Sequence, residues 1–557
     1  MNAIDHGAAA TIWLHAFEAA LAASDVRAQF LPDGHWRDVL AFTGGLRTTS
    51  GADAIAAGLR DARAENFRLD PARSPPRHVM RAGQACLEVI FAFDAPSGIG
   101  EGVVRLVEGR AWTLLTSLAG LHDEARGGAP DYSREFGGDN WLDKRNRARA
   151  YAAHDPQVLV VGGGQAGLSI AASLGQLGVD ALIVDRAARI GDNWRKRYHA
   201  LTLHNEAHVN HLPYMPFPKT WPVFIPKDKL ANWFEHYVEA MELNFWTGTE
   251  LVAGRHDGTG WDVTLRQAGG GTRRMRPRHI VLATGVSSIP IQPDLPGLAD
   301  FGGTVLHSGA YSEGHAWKGQ RALVLGTGNS GHDVAQDLHA SGAHVTMIQR
   351  SPTYIVSLAE AQRVYAIYNE GLPFEDCDLL ATSMPFPVLC EAYRRATTLS
   401  RTADAALLQG LVEAGFRLDN EAGSMGFQMK YLERGGGYYF NVGCSDLIAA
   451  REIALVQYAD IAHFAAGGAV LRDGSRIPAD LLVLATGYKN QQETARAYLG
   501  HDVAERIGPV WGFDAGGELR NMWRPTPQEG LWFTAGSLAQ CRIYSKILAM
   551  QIKARLT

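Results

Sequence analysis

Few architectures accommodate two copies of the unit strand, glycine-rich turn, helix, strand, and this chain carries both. The first begins at Val158, where VLVVGGGQAG passes from an apolar, β-branched run into Gly162, Gly164 and Gly167. Glycine alone permits the tight turn and the close approach to a pyrophosphate, so the spacing reads as a G-x-G-x-x-G dinucleotide fingerprint, with Gln165 and Ala166 assigned to the same site. The run before it reads as a strand buried on both faces. LSIAASLGQLG after it has helical apolar spacing, which sets the phosphates on a helix N-terminus. VDALIVDRA is the next strand, and Asp185 ends it about 20 residues past the glycines, where a carboxylate holds a ribose hydroxyl.

The second copy, RALVLGTGNSGHDVAQDLHASGAHVTMIQRSP, carries Gly326, Gly328, Asn329, Ser330 and Gly331, but its second strand ends in Arg350 and Ser351. A carboxylate selects an unphosphorylated ribose and a guanidinium accommodates a 2′-phosphate, so the first site suits FAD and the second NADPH. Adenine stacking or a surface ion pair would also account for Arg350, which leaves NADH open.

At 557 residues, 46% hydrophobic and 20% charged with net charge −5, the chain has room for about three domains and the balance of a soluble globular protein. Nothing in it calls for nucleic acid. The basic cluster RQAGGGTRRMRPRH is glycine-rich and reads as a solvated hairpin tip. The cysteines, Cys86, Cys377, Cys390, Cys444 and Cys541, lack C-x-x-C spacing, so neither a metal site nor a redox dithiol is indicated and a reducing cytoplasm fits. No secretory signal or membrane span is evident, and the expectation is a cytoplasmic protein with no membrane partner.

Helical spacing of Trp13, Leu14, Phe17 and Leu21 opens the chain, and alternating, glycine-bearing runs up to about Leu121 suggest a curved antiparallel sheet. Helices followed by such a sheet resemble the cone-shaped fold of nuclear transport factor 2-like and SnoaL-like domains. In some members the cone is an active site, which His35, Trp36, Arg37 and Asp38 would line. More often an appended cone is structural or an interface, and that leaves room for a homodimer. HIVLATG and DLLVLATG are buried strands ending in Ala-Thr-Gly at 283–285 and 485–487, and two such exits imply one domain inserted in another. Thr284 and Gly487 are placed at the cofactors on this basis. Asn193 and Trp194, just past the ribose-binding strand, suit a flat polar ring system. The stretch from Ile355 to Tyr439 reads as a helical insertion able to cover a pocket. Near the C-terminus, LWFTAGSLAQCRIYSKILAMQIKARL is a strand, a turn and a helix whose N-terminus, with Gln540, would point a positive end at the flavin.

The expected fold is therefore α/β, with two Rossmann-like dinucleotide-binding domains, the NADPH domain inserted in the FAD domain, plus an N-terminal α+β cone-like domain. The boundaries drawn are 1–125 for the cone, 126–155 for a linker, 156–310 for the first part of the FAD domain, 311–455 for the NAD(P)H domain with its helical insertion, and 456–557 for the remainder of the FAD domain.

Between the two units lies FGGTVLHSGAY, whose Phe301, Gly303, His307 and Tyr311 match the F-x-G-x-x-x-H-x-x-x-Y fingerprint of the flavin-containing monooxygenases. Residues 156–557 as a whole resemble this class B family, which includes the Baeyer-Villiger and YUCCA-like enzymes. The related Baeyer-Villiger fingerprint ends in Trp-Pro or Trp-Asp where this chain has Tyr311-Ser312. The resemblance implies an FAD- and NADPH-dependent monooxygenase that passes one atom of O2 to a small organic substrate through a C4a-(hydro)peroxyflavin. Sulfides, amines, ketones and 2-oxo acids all stay open. It also implies that Asn205 stands beside the flavin and nicotinamide and that His307 belongs to the catalytic set or shapes the NADPH cleft; an Asn in a helix-capping turn is the plainer reading of Asn205. Two alternatives from other classes remain: a flavin disulfide reductase, which needs a cysteine pair, and a non-catalytic scaffold built on the cone.

Overall fold

A computed structural model describes residues 6–122, 136–420 and 423–556. In the N-terminal unit the helix His6–Ala22 buries Trp13, Leu14, Phe17 and Leu21. It covers a sheet in the order Leu46–Ser50, Phe30–Val39, Arg110–Leu121, Gly98–Val107, Gln84–Ala95, Glu65–Arg68, with Arg77–Arg81 also paired to Gln84–Ala95. Pairing is antiparallel except between Phe30–Val39 and Arg110–Leu121. Gly100 and Gly102 let the sheet close over its own aromatics, since ring atoms of Phe93 and Phe91 lie 2.4 and 2.3 Å from where a Cβ would stand.

That interior is full. Phe67 and Phe93 stack at 5.0 Å, Phe42 stacks on Phe93, and Trp36 Nε1 donates to Thr116 Oγ1. Buried Asp38 accepts from Thr116 Oγ1, Thr43 Oγ1 and the backbone N–H groups of Phe42 and Thr43. Burial pushes its carboxyl pKa up, and those hydrogen bonds oppose the shift. Trp36 and Asp38 are thus committed to the unit's own core, and His35, on the other face of the strand, lies 2.8 Å from Ser50 Oγ. Arg37, on the same face as His35, points out of the unit.

The two dinucleotide units repeat one plan. The first has five parallel strands in the order Asn244–Trp246, Ala181–Val184, Val158–Val161, His279–Leu282, Leu531–Phe533, plus an antiparallel sheet of Thr249–His256, Trp261–Gln267 and Thr272–Met275. The second has Thr304–His307, Leu481–Leu484, Arg321–Leu325, His344–Gln349, Ala454–Gln457, plus Ile461–Ala465, Gly468–Leu471 and Arg476–Pro478. The boundaries at 310/311 and 455/456 therefore need correction. Strands 304–307 and 481–484 and the sheet of 461–478 belong to the second unit. Leu481–Leu484 is buried on both faces, and such a strand carries no period that tells which sheet it joins. The chain crosses between units by two connections that run side by side, with Ile291 N–H donating to Gly487 O and Lys489 N–H to Ile289 O.

From the second unit, between the parallel strands Tyr354–Ser357 and Tyr438–Asn441, rise the helices Phe374–Thr382, Phe386–Ala403, Ala405–Glu413 and Gly426–Arg434. The N-terminal unit docks on the first of these and on the C-terminal helix Leu538–Lys553, burying Leu379, Leu380, Ile547 and Met550 in its own core. Charged groups tie the seam. Arg37 makes a two-pronged pair with Glu518, Nε to Oε1 at 2.9 Å and Nη2 to Oε2 at 2.8 Å, with both side chains buried. Ser74 N–H donates to Asp376 Oδ2 at 2.8 Å, and Arg77 and Arg81 both pair with Glu370.

Candidate active site

Both glycine turns have the same construction. Gly162 and Gly326 stand at φ +109° and +116°, and a Cβ on either would lie 2.6 Å from Ala283 O or 2.3 Å from Ala485 O. A Cβ on Gly167 or Gly331 would lie 1.9 or 2.1 Å from the carbonyl oxygen of Gly162 or Gly326. The Ala-Thr-Gly strand ends thus press on the first glycine of each fingerprint, so these two motifs constrain each other. The helices Gln165–Gln176 and Asn329–Ala340 begin at Gly164 and Gly328, and neither has a side-chain cap. Their first N–H groups are open to an anion.

Around the first turn, Asp185 Oδ2 accepts from Gly163 N–H at 2.6 Å and Oδ1 from Ala187 N–H. Asn193 Nδ2 lies 2.9 Å from the position a Gly164 Cβ would take. Thr284 Oγ1 is shielded from solvent without a hydrogen-bond partner. Gln165 joins Trp194 Nε1, at 3.3 Å, to the carbonyl of Gly536. Ala166 is buried beneath. Gln540 is the partner of Ser537 in the capping box of the C-terminal helix, and its Oε1 also accepts from Tyr431 at 2.8 Å.

Around the second turn, Asn329 Oδ1 accepts from Phe440 N–H, and Ser330 is half-buried in the first helical turn. Arg350 and Ser351 are exposed past the end of strand His344–Gln349, and among the described residues Arg350 makes no ion pair. Arg417 joins them there, its backbone N–H and C=O both bonded to the Gln349 amide. Sequence spacing gives no hint of this second cation. Arg350→Ala is expected to narrow a preference for NADPH over NADH by roughly 10- to 100-fold, the loss of one charge-assisted contact to phosphate. Steady-state constants with both coenzymes check this. A residual preference that disappears in the Arg350→Ala/Arg417→Ala pair assigns the remainder to Arg417.

A cavity of about 680 Å³ lies where the first unit, the helical insertion and the N-terminal unit meet. Gln165, Trp194, Asn205, Ser537 and Gln540 line it from the first unit, Tyr365, Tyr393 and Tyr431 from the insertion, and Arg37, Met80 and Arg81 from the N-terminal unit. No cysteine lines it, and all five cysteines are buried and unpaired. Asn205 lies on the strand Thr202–Glu206, where its Nδ2 donates to Tyr365 Oη at 3.0 Å and its carbonyl accepts from Asn210. It is no helix cap, since Glu206 holds the cap position of the following turn. Burial pushes the Tyr365 phenol up to about 12, so it stays protonated at neutral pH.

His307 does not join Asn205 and is absent from the cavity wall. Its Nδ1 accepts from Gly309 N–H at 3.1 Å, which fixes the proton on Nε2, 3.2 Å from Gly487 O. Both ring nitrogens are used on backbone, and burial lowers the imidazole pKa. The rest of its motif is also structural. A Cβ on Gly303 would lie 2.4 Å from Asp480 O, and Tyr311 Oη donates to Asp337 at 2.6 Å. Sequence reasoning missed Tyr365, Tyr393 and Tyr431; the aromatics of the insertion were their only trace.

Residues 159–368 match the family described as pyridine nucleotide-disulphide oxidoreductase. The chain is 30% identical to the probable indole-3-pyruvate monooxygenase YUCCA3 of Arabidopsis thaliana over 60% of its own length and 73% of the relative's. The chain belongs to the class B flavin monooxygenase family. Among solved structures, cyclohexanone monooxygenase with bound ε-caprolactone superposes with a TM-score of 0.53 at 20% identity, covering 72% of this chain and 88% of that one. The NADP+-bound enzyme from Rhodococcus sp. Phi1 gives 0.50 at 19%, covering 72% and 84%. These two likenesses speak for the fold. As a class B flavin monooxygenase the chain uses FAD and NAD(P)H with dioxygen. Its residues fit both groups: the two turns leave no space for a Cβ, both helix N-termini are uncapped, and Thr284 holds a shielded, unpartnered hydroxyl.

Proposed function

We propose that the chain inserts one oxygen atom into a small organic substrate in the cavity beside Asn205, with FAD held on the Gly162 turn and NADPH on the Gly326 turn. What carries this reading is one cavity reached by both the N-terminus of the Gln165–Gln176 helix and Asn205, walled by aromatic side chains and free of cysteine. When bound, the flavin takes a hydride from NADPH and activates dioxygen, giving one oxygen atom to the substrate and the other to water.

The chain's own residues bind, orient and exclude water. The uncapped N–H groups beyond Gly164 and Gly328 receive the two pyrophosphates, Asp185 a ribose of FAD, and Arg350 the 2′-phosphate of NADPH. Asn205 presents an amide whose Nδ2 is oriented by Tyr365, and an amide both donates and accepts. The helices Phe374–Thr382, Phe386–Ala403 and Gly426–Arg434 wall the cavity on one side and limit its access to water. The disulfide-reductase alternative loses its ground where no thiol reaches the cavity. We place the enzyme in the cytoplasm, where five unpaired cysteines stay reduced. No helix of the described residues is long and apolar enough to cross a membrane. The N-terminal unit buries its apolar face within the chain, so no partner copy is proposed to cover it.

The test is the purified protein itself. A visible flavin spectrum, FAD rather than FMN on heat release, and NADPH consumption that yields a substrate heavier by one oxygen are expected. A protein with no bound flavin and no NADPH consumption overturns the reading in favour of the scaffold.

A further inference from the structure

The N-terminal unit reaches the cavity through two strands. Phe30–Val39 sends Arg37 into it. The hairpin of Arg77–Arg81 and Gln84–Ala95 turns at Ala82 and Gly83, both at positive φ, the twist that a two-residue hairpin turn requires. Its tip lies against the insertion: a Cβ on Gly83 would stand 2.2 Å from Arg395 Cζ. Met80, 62% exposed on the unit's surface, and Ala82 stand at the cavity's rim.

The charges on this wall are spent. Arg37 is bidentate to Glu518 and donates its remaining amino group to Thr382 O. Arg81 is bidentate to Glu88 and also bonds both oxygens of Glu370. On the insertion, Arg363 pairs with Glu360, and burial lowers the pKa of His204, which faces Asp333 at 4.0 Å. Recruiting Arg37 or Arg81 to an incoming carboxylate would strand Glu518 or Glu88 in a buried place without a counter-ion. The aromatic lining comes from outside the N-terminal unit: Trp523 stacks on Tyr544 at 4.2 Å in the C-terminal segment, and Phe386 of the insertion lies against Phe513 at 4.5 Å.

We propose that the N-terminal unit is a specificity element of this monooxygenase: its Arg37 strand and the tip of its 77–95 hairpin supply one wall of the cavity, whose paired cations turn carboxylates away, while the aromatics of the insertion and the C-terminal segment accept an uncharged, ring-bearing substrate. This rests on the monooxygenase reading above, and it departs from the 2-oxo acid named for the relative YUCCA3.

The holoenzyme is given 4-(methylthio)toluene and its near-isosteric anion 4-(methylthio)benzoate, with sulfoxide formation and, independently of turnover, the ligand-induced shift of the thermal midpoint as readouts. The neutral sulfide is expected to win by about 30-fold or more in kcat/KM and to give the only clear thermal shift, since a desolvated carboxylate finds no cation without a carboxylate partner already. In Glu518→Gln, which leaves the Arg37 charge unspent, the discrimination should fall by roughly 10-fold. Should that variant not fold, Glu370→Gln, at the partly exposed rim, releases part of Arg81 and should move the ratio in the same direction. Met80→Trp should penalise a bulkier neutral sulfide more than methylthiotoluene. Equal acceptance of the two probes by the parent enzyme, or a ratio that neither glutamate variant moves, overturns the proposal. Absence of sulfoxide from either probe with the neutral one still bound counts against the oxygenation reading and leaves the specificity element standing.

Discussion

Asn205→Ala is expected to turn the enzyme from an oxygenase towards an NADPH oxidase. The amide stands on a short strand at the cavity wall, its Nδ2 fixed by Tyr365. On the proposed reading, removing it leaves polar groups of the cofactors short of a partner in a desolvated place and opens room for water. At about 1–3 kcal/mol for one lost buried hydrogen bond, the ratio of oxygenated product to hydrogen peroxide should fall roughly 5- to 150-fold. NADPH consumption should change far less, because on the proposed reading the coenzyme is held mainly on the Gly326 turn. Parallel assays of NADPH, peroxide and product measure this directly. Tyr365→Phe, which removes only the group that orients the amide, should lie between the two. A variant that keeps product and NADPH in the parent's proportion would remove Asn205 from the site.

The second large effect is on stability. Arg37→Ala should cost about 3–5 kcal/mol, because Glu518 would remain buried without its counter-ion. The pair couples a strand of the N-terminal unit to residues 481 positions away, so the loss should appear as a lower thermal midpoint and weaker docking of the unit. Replacing both partners, Arg37→Met with Glu518→Leu, removes the stranded charge and should recover most of the loss. If the single and double variants unfold together, the pair is not what holds the seam. Calorimetry or thermal melts of the three proteins decide.

The glycine fingerprints were legible because a turn at positive φ imposes its residue type locally. Yet positive φ is only half the reason for Gly162 and Gly326, whose missing Cβ also makes room for Ala283 O and Ala485 O from strands far along the chain. The insertion of one dinucleotide unit into the other could be read from the paired Ala-Thr-Gly exits. Its limits could not, since Leu481–Leu484 is apolar on both faces and offers no sign of the sheet it enters. His307 belongs to the most specific motif and still serves the connection between the units, because motif spacing marks a shared backbone path as readily as shared chemistry. Tyr365 and Arg37 act through partners 160 and 481 positions away, a separation at which residue type carries no information about contact. Strand alternation does place Trp36 and Asp38 on one face and Arg37 on the other, but nothing local says what that other face meets.

The seam between the N-terminal unit and the rest also sets an order of events during synthesis. The unit's strands are complete at Leu121, but its partners on the final helix, Ile547 and Met550, leave the ribosome about 430 residues later. At about 5–20 residues per second that interval is roughly 20–90 s. Throughout it, the apolar patch that will receive Ile547 and Met550 stands open on the unit. A nascent chain stalled short of the helix Leu538–Lys553 should therefore be sticky in a way the whole protein is not, and the second half of that helix, which carries Ile547 and Met550, puts that surface out of reach of chaperones and neighbouring chains.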